Sequence, residues 1–347
     1  MSYNDFIWIE KFPNTKYTTF NEIIPKLNYT RCNPNIIQNK EGFDVIVRTV
    51  NYKIENDHDY VISSEKKVIH TENILSKYDR EWNILSQEII IDKSERPIYN
   101  VYITGLEDMR QCIVDNKKYV TSTCAESSVY GMPETTIFEM NENILTNFKR
   151  IEPYYEQTRS KEKNWLPFEQ DNKLFVIYKQ YPTTIHEINP LHGDYKLHSK
   201  NFSYQLAKTF RGSAGPLKYI RSANGILSES HLRSKYIRSA NAVPSEYIPG
   251  TDGIPYWLYI IHEAFYKTPE GEDKWTYTSR WVLMSSDFKI IAISPRFGIL
   301  TNGIEFVSGL CYDYSQCDVI IGFSVRDSEA YRMKISISDI ENVLEKV

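Results

Sequence analysis

No stretch of the 347 residues approaches the 18 or so uncharged apolar positions that a membrane helix needs, so a membrane partner is not expected. A basic excess is missing too. Lys plus Arg number 41 against 45 Asp plus Glu, a formal net charge of −4, which argues against a nucleic-acid partner. Five cysteines (Cys32, Cys112, Cys124, Cys311, Cys317) form no CxxC pair, so neither a zinc ribbon nor a disulfide framework is indicated. The N-terminal MSYNDFIWIEKF has acids and no long apolar core, which argues against a signal peptide and points to a cytoplasmic, reducing location. No Gly-rich loop follows a strand, which excludes Rossmann and P-loop chemistry. Long helical patterns are scarce as well. Two short ones stand out: Asn73 to Tyr78, and 338–347, where Ser338 precedes Asp339-Ile340-Glu341.

What is present is β-forming residues. Short apolar runs recur every sixty to seventy residues: Phe43 to Val50, Lys173 to Tyr178, Tyr256 to Ile261 and Asp318 to Phe323. Turn chemistry separates strands at Asp115-Asn116-Lys117 and Asp171-Asn172. Tyrosine is abundant, at 26 residues, and its flat apolar face with a polar tip suits strands, interfaces and sugar-stacking surfaces alike. Five groups of four short strands would use this length, so the expected fold is all-β, a five-bladed β-propeller forming a single domain over 1–347. Its accessories would be an N-terminal extension (1–32), an insertion or flap (211–250) and the C-terminal helix. The flap contains an exact duplication, Lys218 to Asn224 returning as Lys235 to Asn241, and gathers Arg211, Lys218, Arg221, Arg233, Lys235 and Arg238 into the one basic patch. A 17-residue period that occurs twice is too short for a blade.

Several motifs follow one another in a fixed order. Asn33-Pro34-Asn35 precedes the first strong strand, which carries Arg48; Gly105-Leu106-Glu107-Asp108-Met109-Arg110 precedes the second group. Lys163-Asn164-Trp165-Leu166-Pro167-Phe168 precedes the third, and Arg211-Gly212-Ser213-Ala214-Gly215-Pro216 leads to Trp257 through Glu263. Glu305-Phe306-Val307-Ser308-Gly309 leads to Gly322 through Asp327. This order resembles the five-bladed β-propeller enzymes of the β-mannoside phosphorylase family and their mannosyltransferase-like relatives, over about Asn33 to Ile340.

The resemblance implies roles. Asp108 stands where the family's Glu-Asp-Pro-Arg turn supplies the acid, so it is the expected general acid or base. Lys163 and His262 match anion-holding residues, with Arg211 the third expected phosphate ligand. Asp327 matches the aspartate that holds the sugar, and Asn33, Arg48, Arg110 and Glu305 complete the expected substrate-binding set. The implied activity is transfer of a β-linked hexosyl unit, mannosyl by resemblance, to phosphate or to a sugar acceptor with inversion. Alternatives are a glycosyltransferase using a nucleotide sugar and a non-catalytic carbohydrate-binding propeller. No cofactor is implied, phosphate or a sugar phosphate entering as substrate, and the partner is a glycan. The sequence departs from the pattern at Met109 (family proline), at the order Leu166-Pro167-Phe168, at Glu263 (family glycine) and at Tyr178-Lys179, where an arginine is missing.

Glycosyl transfer needs a proton moved at an oxygen while positive charge develops at the anomeric carbon, work suited to a carboxyl group with a pKa raised toward neutrality. Glu107 and Asp108 are adjacent, so in an extended strand only one could face a site. The same alternation makes one of His262 and Glu263 face outward. His192, Asp194 and His198 fit no metal-ligand spacing, and no metal is expected. Asn28-Tyr29-Thr30 and Asn201-Phe202-Ser203 read as glycosylation sequons that carry no weight without a secretion signal.

Overall fold

The computed structural model describes residues 6–13, 15–57, 59–151, 162–220, 255–266, 274–315 and 317–347. They are almost entirely β. A first sheet combines Thr30–Gln38, Gly42–Val50, Ile69–Asp79 and Ile84–Ile89; a second combines Glu107–Val114, Lys117–Cys124, Glu134–Asn141 and Ile144–Arg150. The third contains Leu166–Gln170, Lys173–Gln180, Thr183–Ile188 and Tyr195–Asn201, and the fourth Arg211–Ile220, Pro255–Phe265, Thr276–Met284 and Ile290–Ile293. The fifth joins Glu305–Tyr312, Asp318–Val325 and Glu329–Ser336 to Lys16–Thr19 from near the N-terminus. Four sheets thus assemble a four-strand group in chain order, the fourth adding Phe6–Trp8 and Glu345–Lys346 from the chain ends, and the fifth borrows its outer strand. The expected five self-contained groups are therefore corrected to four, because the last needs a strand that lies some 310 residues earlier in the chain.

The sheets stand in a propeller arrangement. The first strand of each lies innermost and touches the first strand of the next, the fifth meeting the first. A separate apolar core fills each gap. Ile46 and Leu75 of the first sheet pack with Val120 and Phe138 of the second, and Val45 and Val47 pack with Cys311 and Ile320 of the fifth. Similar layers join second to third, third to fourth and fourth to fifth. This explains the continuous apolar runs in the sequence. Gly42–Val50 is buried at every position because both faces of a second strand meet neighbouring sheets. The outermost strands, such as Tyr195–Asn201, are mostly exposed.

Both hairpins foreseen from turn residues form. Asp115 and Asn116 have φ of 48° and 61°, Asp171 and Asn172 of 52° and 58°, the left-handed pair that a two-residue hairpin requires. The C-terminal helix spans Ile337–Val343. The helix expected at Asn73 to Tyr78 is instead strand Ile69–Asp79, whose cross-strand partners in Gly42–Val50 override its weak helical pattern. The expected flap also begins as a strand: Arg211–Ile220 pairs antiparallel with Pro255–Phe265 and lines the axis. The remainder of that segment, with its repeat, lies outside the described residues. The five cysteines form no disulfide, and no helix among the described residues is long and apolar enough to cross a membrane.

Candidate active site

Four of the five inner strands carry a β-bulge, at Cys32–Asn35, Glu107–Arg110, Gly212–Ala214 and Val307–Gly309. A bulge inserts a residue without a ladder partner and re-aims its side chain. Asn33 and Asp108 both adopt left-handed backbone, with φ of 49° and 50°. Gly309 and Gly322 let the Pro34 carbonyl approach so closely that a Cβ at either position would lie 2.5 Å from its oxygen. Asn35 Nδ2 donates to the Ser308 carbonyl at 3.0 Å, and Ser308 Oγ donates to the Pro34 carbonyl at 3.0 Å. The Asn-Pro-Asn motif is therefore a clasp between the first and fifth sheets.

The bulge at Asp108 overturns the expectation that only one of Glu107 and Asp108 faces inward. Both reach the same guanidinium: Arg48 Nη2 lies 2.5 Å from Glu107 Oε1, and Nη1 lies 3.0 Å from Asp108 Oδ1. Asn33 Nδ2 donates to Asp108 Oδ1 at 2.7 Å, and Ser324 Oγ donates to Asn33 Oδ1 at 2.5 Å. Three sheets thereby position one carboxylate. Tyr52, just beyond Arg48, donates its hydroxyl to Asp327 Oδ2 at 2.8 Å. Asp327 turns inward at a left-handed residue, φ 47°, after Asp318–Val325.

The three acids have different protonation tendencies. Burial would raise Asp108, but the Arg48 and Arg110 guanidiniums and the Asn33 amide outweigh it and hold Asp108 below the ordinary carboxylate range. Burial raises Glu107 against the pull of Arg48, helped by the charge of Asp108. It raises Asp327 likewise, against Arg48 and the Tyr52 hydrogen bond. A general acid needs the opposite direction from that found at Asp108. The direction at Asp108 favours its ionised form.

Around the acids lies an excess of positive charge. Arg110 is buried; its Nε donates to the Ser213 carbonyl at 3.2 Å and its Nη1 to the Asp108 carbonyl at 3.0 Å, while the buried Nη2 has no hydrogen-bond partner. Lys163 and Arg211 are exposed, and neither has an ion-pair or hydrogen-bond partner among the described residues. Their fields meet at His262, which burial and then Arg211, Lys163 and Arg110 push down to about 3, so the imidazole is neutral near pH 7. Its ring is flanked by Tyr277 (5.6 Å, nearly parallel) and Phe306 (5.0 Å, edge-on), and its buried Nδ1 has no partner.

Asn33, Arg48, Asp108, Arg110, Lys163, Arg211, His262 and Asp327 thus share one electrostatic neighbourhood. Glu305 does not join them. Its buried carboxylate accepts the backbone N–H groups of Ile299, Leu300 and Thr301 at 2.7, 2.6 and 2.7 Å, fastening a loop. That use of both oxygens corrects its expected substrate-binding role. Glu263 does not face outward either. It is buried against Arg280 Nε (2.9 Å) and Arg296 Nε (2.9 Å) and accepts from Thr209 Oγ1 at 2.9 Å. Because it alternates with His262 along the strand, its charge is neutralised on the opposite face. Tyr52, Tyr60, Glu107 and Tyr277 complete the neighbourhood; nothing in the sequence distinguished these tyrosines from the other 23. No cluster of His, Cys, Asp or Glu suited to a metal occurs among the described residues.

No protein-family model and no curated protein matches the sequence. Solved structures do match in fold. A β-1,2-mannobiose phosphorylase from Listeria innocua superposes with a TM-score of 0.54 at 10% identity, over 95% of this chain and 98% of that one. A GDP-mannose-dependent mannosyltransferase from Leishmania mexicana gives 0.52 at 13% identity, over 93% and 90%. A mannose phosphorylase from Leishmania mexicana, in complex with phosphate, gives 0.50 at 10% identity, over 93% and 89%. The chain therefore shares its propeller fold with β-mannoside phosphorylases and a mannosyltransferase.

Proposed function

We propose that this chain is a glycan-active enzyme that transfers a β-linked mannosyl unit between a sugar hydroxyl and phosphate, with inversion. The reading takes the site to lie on the axis of the propeller arrangement, in a cytoplasmic protein whose cysteines form no disulfide. One observation carries it. A carboxylate fixed by Arg48 and Asn33 stands beside Arg110, Lys163 and Arg211, three cations with no carboxylate partner among the described residues. Fixed cations without counter-charges suit an anionic substrate, and Arg110 Nη2 and neutral His262 add hydrogen-bonding capacity to it.

In the direction of synthesis, Asp108 takes the proton of the acceptor hydroxyl as its oxygen attacks the anomeric carbon. The bond from that carbon to the phosphate oxygen breaks on the opposite face, and its electron pair leaves with phosphate onto the cations. Phosphorolysis reverses each step, so Asp108 must then give a proton. Bound phosphate offsets Arg110, one of the charges that keep Asp108 ionised, and so raises its pKa toward the acid role. Asp327 and Asn33 are the expected hydrogen-bonding contacts to the sugar.

The test is turnover in both directions: β-1,2-mannobiose with inorganic phosphate, and α-mannose 1-phosphate with mannose. A second reading, transfer from a nucleotide sugar, gains support from the fold shared with a GDP-mannose-dependent enzyme. It requires GDP-mannose to raise the melting temperature and to be consumed, where α-mannose 1-phosphate is not.

A further inference from the structure

An aromatic side chain near the site has no part in this chemistry. The ribbon of Tyr52–Glu55 and Asp59–Ile62 leaves the first sheet directly after its second strand and carries Tyr60, which is 55% exposed. Despite that exposure, burial and then the charge of Asp327 raise the Tyr60 hydroxyl, with Tyr277, Arg48 and Glu107 also acting on it. The polar tip therefore lies in the field of the site while much of the residue is open to solvent.

The support is rigid. The Tyr60 ring meets the ring of Tyr52 at 5.0 Å and 51°, and Tyr52 is itself buried and bonded to Asp327. At the far end of the ribbon, buried Asp57 accepts from Arg326 Nε at 2.7 Å and Nη2 at 3.1 Å, tying it to the turn that carries Asp327. At the base, the Ser63 amide donates to the Asn51 carbonyl at 2.8 Å. A pyranose ring presents an apolar face of C–H groups beside polar hydroxyls, and a braced tyrosine matches it with an apolar ring and a polar tip.

We infer that Tyr60 is the stacking platform of the glycan site, covering the apolar face of one pyranose ring of an oligosaccharide substrate. This rests on the glycan-active reading and adds to it a specificity residue outside the proton-transfer and anion-binding groups.

The experiment is calorimetric titration of wild type, Tyr60→Ala and Tyr60→Phe with β-1,2-mannobiose and β-1,4-mannobiose, with Arg48→Ala as comparison. Tyr60→Ala should weaken binding of the recognised disaccharide by about tenfold, the size of one aromatic contact, with an unchanged melting temperature. Tyr60→Phe should stay within about twofold of wild type, since the ring is kept. The KM for the disaccharide should rise in step with the lost affinity in Tyr60→Ala and stay near wild type in Tyr60→Phe. Wild-type-like binding by Tyr60→Ala, with binding lost in Arg48→Ala, overturns the platform alone. Equal losses in Tyr60→Ala and Tyr60→Phe overturn stacking in favour of a hydroxyl contact. No binding of either disaccharide by wild type overturns the glycan-active reading, and the platform with it.

Discussion

Arg48 and Asp108 meet at 3.0 Å across the gap between the first and second sheets, and Glu107 shares the same guanidinium at 2.5 Å. One arginine serving two sequence-adjacent carboxylates is possible because the bulge turns Asp108 out of strand alternation. That leaves Arg110, Lys163 and Arg211 without an ion pair to these acids, and the proposed anion binding rests on that surplus.

Arg110 offers the most direct probe of that surplus. Its buried Nη2 has no partner, so Arg110→Gln should raise the KM for inorganic phosphate by roughly 10- to 100-fold, the worth of a charge-assisted hydrogen bond. Binding of β-1,2-mannobiose without phosphate should change little. Steady-state kinetics with phosphate varied at saturating sugar would measure it.

Tyr52→Phe removes the hydroxyl that donates to Asp327 Oδ2 and keeps the ring. That hydrogen bond favours the ionised form, so its loss raises an Asp327 pKa that burial has already raised. If ionised Asp327 holds the sugar, the acid limb of the pH–rate profile should move to higher pH by up to about one unit. An unmoved limb would separate Asp327 from turnover.

His262 ties stability to pH. Its folded-state pKa of about 3 lies below the ordinary 6.5, so below 6.5 the unfolded chain binds the proton more readily than the folded one. Stability on this account falls as pH drops from 6.5 toward 3, by at most about 1.4 kcal/mol per pH unit for one proton. His262→Gln should flatten that part of the curve, as read by urea unfolding at stepped pH.

Glu305→Ala should be a stability mutation. Three backbone N–H donors lose their acceptor in a buried loop, which costs on the order of 3 kcal/mol. The protein that remains folded should keep the wild-type KM for sugar and for phosphate. A selective loss of sugar affinity would return Glu305 to the binding set.

Much of the architecture was legible because the second strand of each sheet is buried on both faces. Phe43 to Val50 and Asp318 to Phe323 show this as unbroken apolar runs, and Asp115-Asn116 shows its hairpin directly. Sheet closure was not legible, since Lys16–Thr19 is exposed and polar and pairs with Glu329–Ser336, far away in sequence. Motif order singled out Asn33, Arg48, Asp108, Lys163, His262 and Asp327, which the fold brings into one electrostatic neighbourhood. The same order misplaced Glu305, whose partners are backbone amides that no pattern of side chains records. The bulge that turns Glu107 and Asp108 onto one arginine is likewise a register shift, and period-2 reasoning presumes none.

The most direct measurement is phosphorus and proton NMR of wild type and Asp108→Asn incubated with β-1,2-mannobiose and inorganic phosphate. The proposed function predicts α-mannose 1-phosphate from wild type. In Asp108→Asn its rate should fall by about 10²- to 10⁴-fold with melting temperature preserved, since asparagine keeps the shape and cannot exchange the proton. Retained β configuration in the product, or an Asp108→Asn rate equal to wild type, would contradict it.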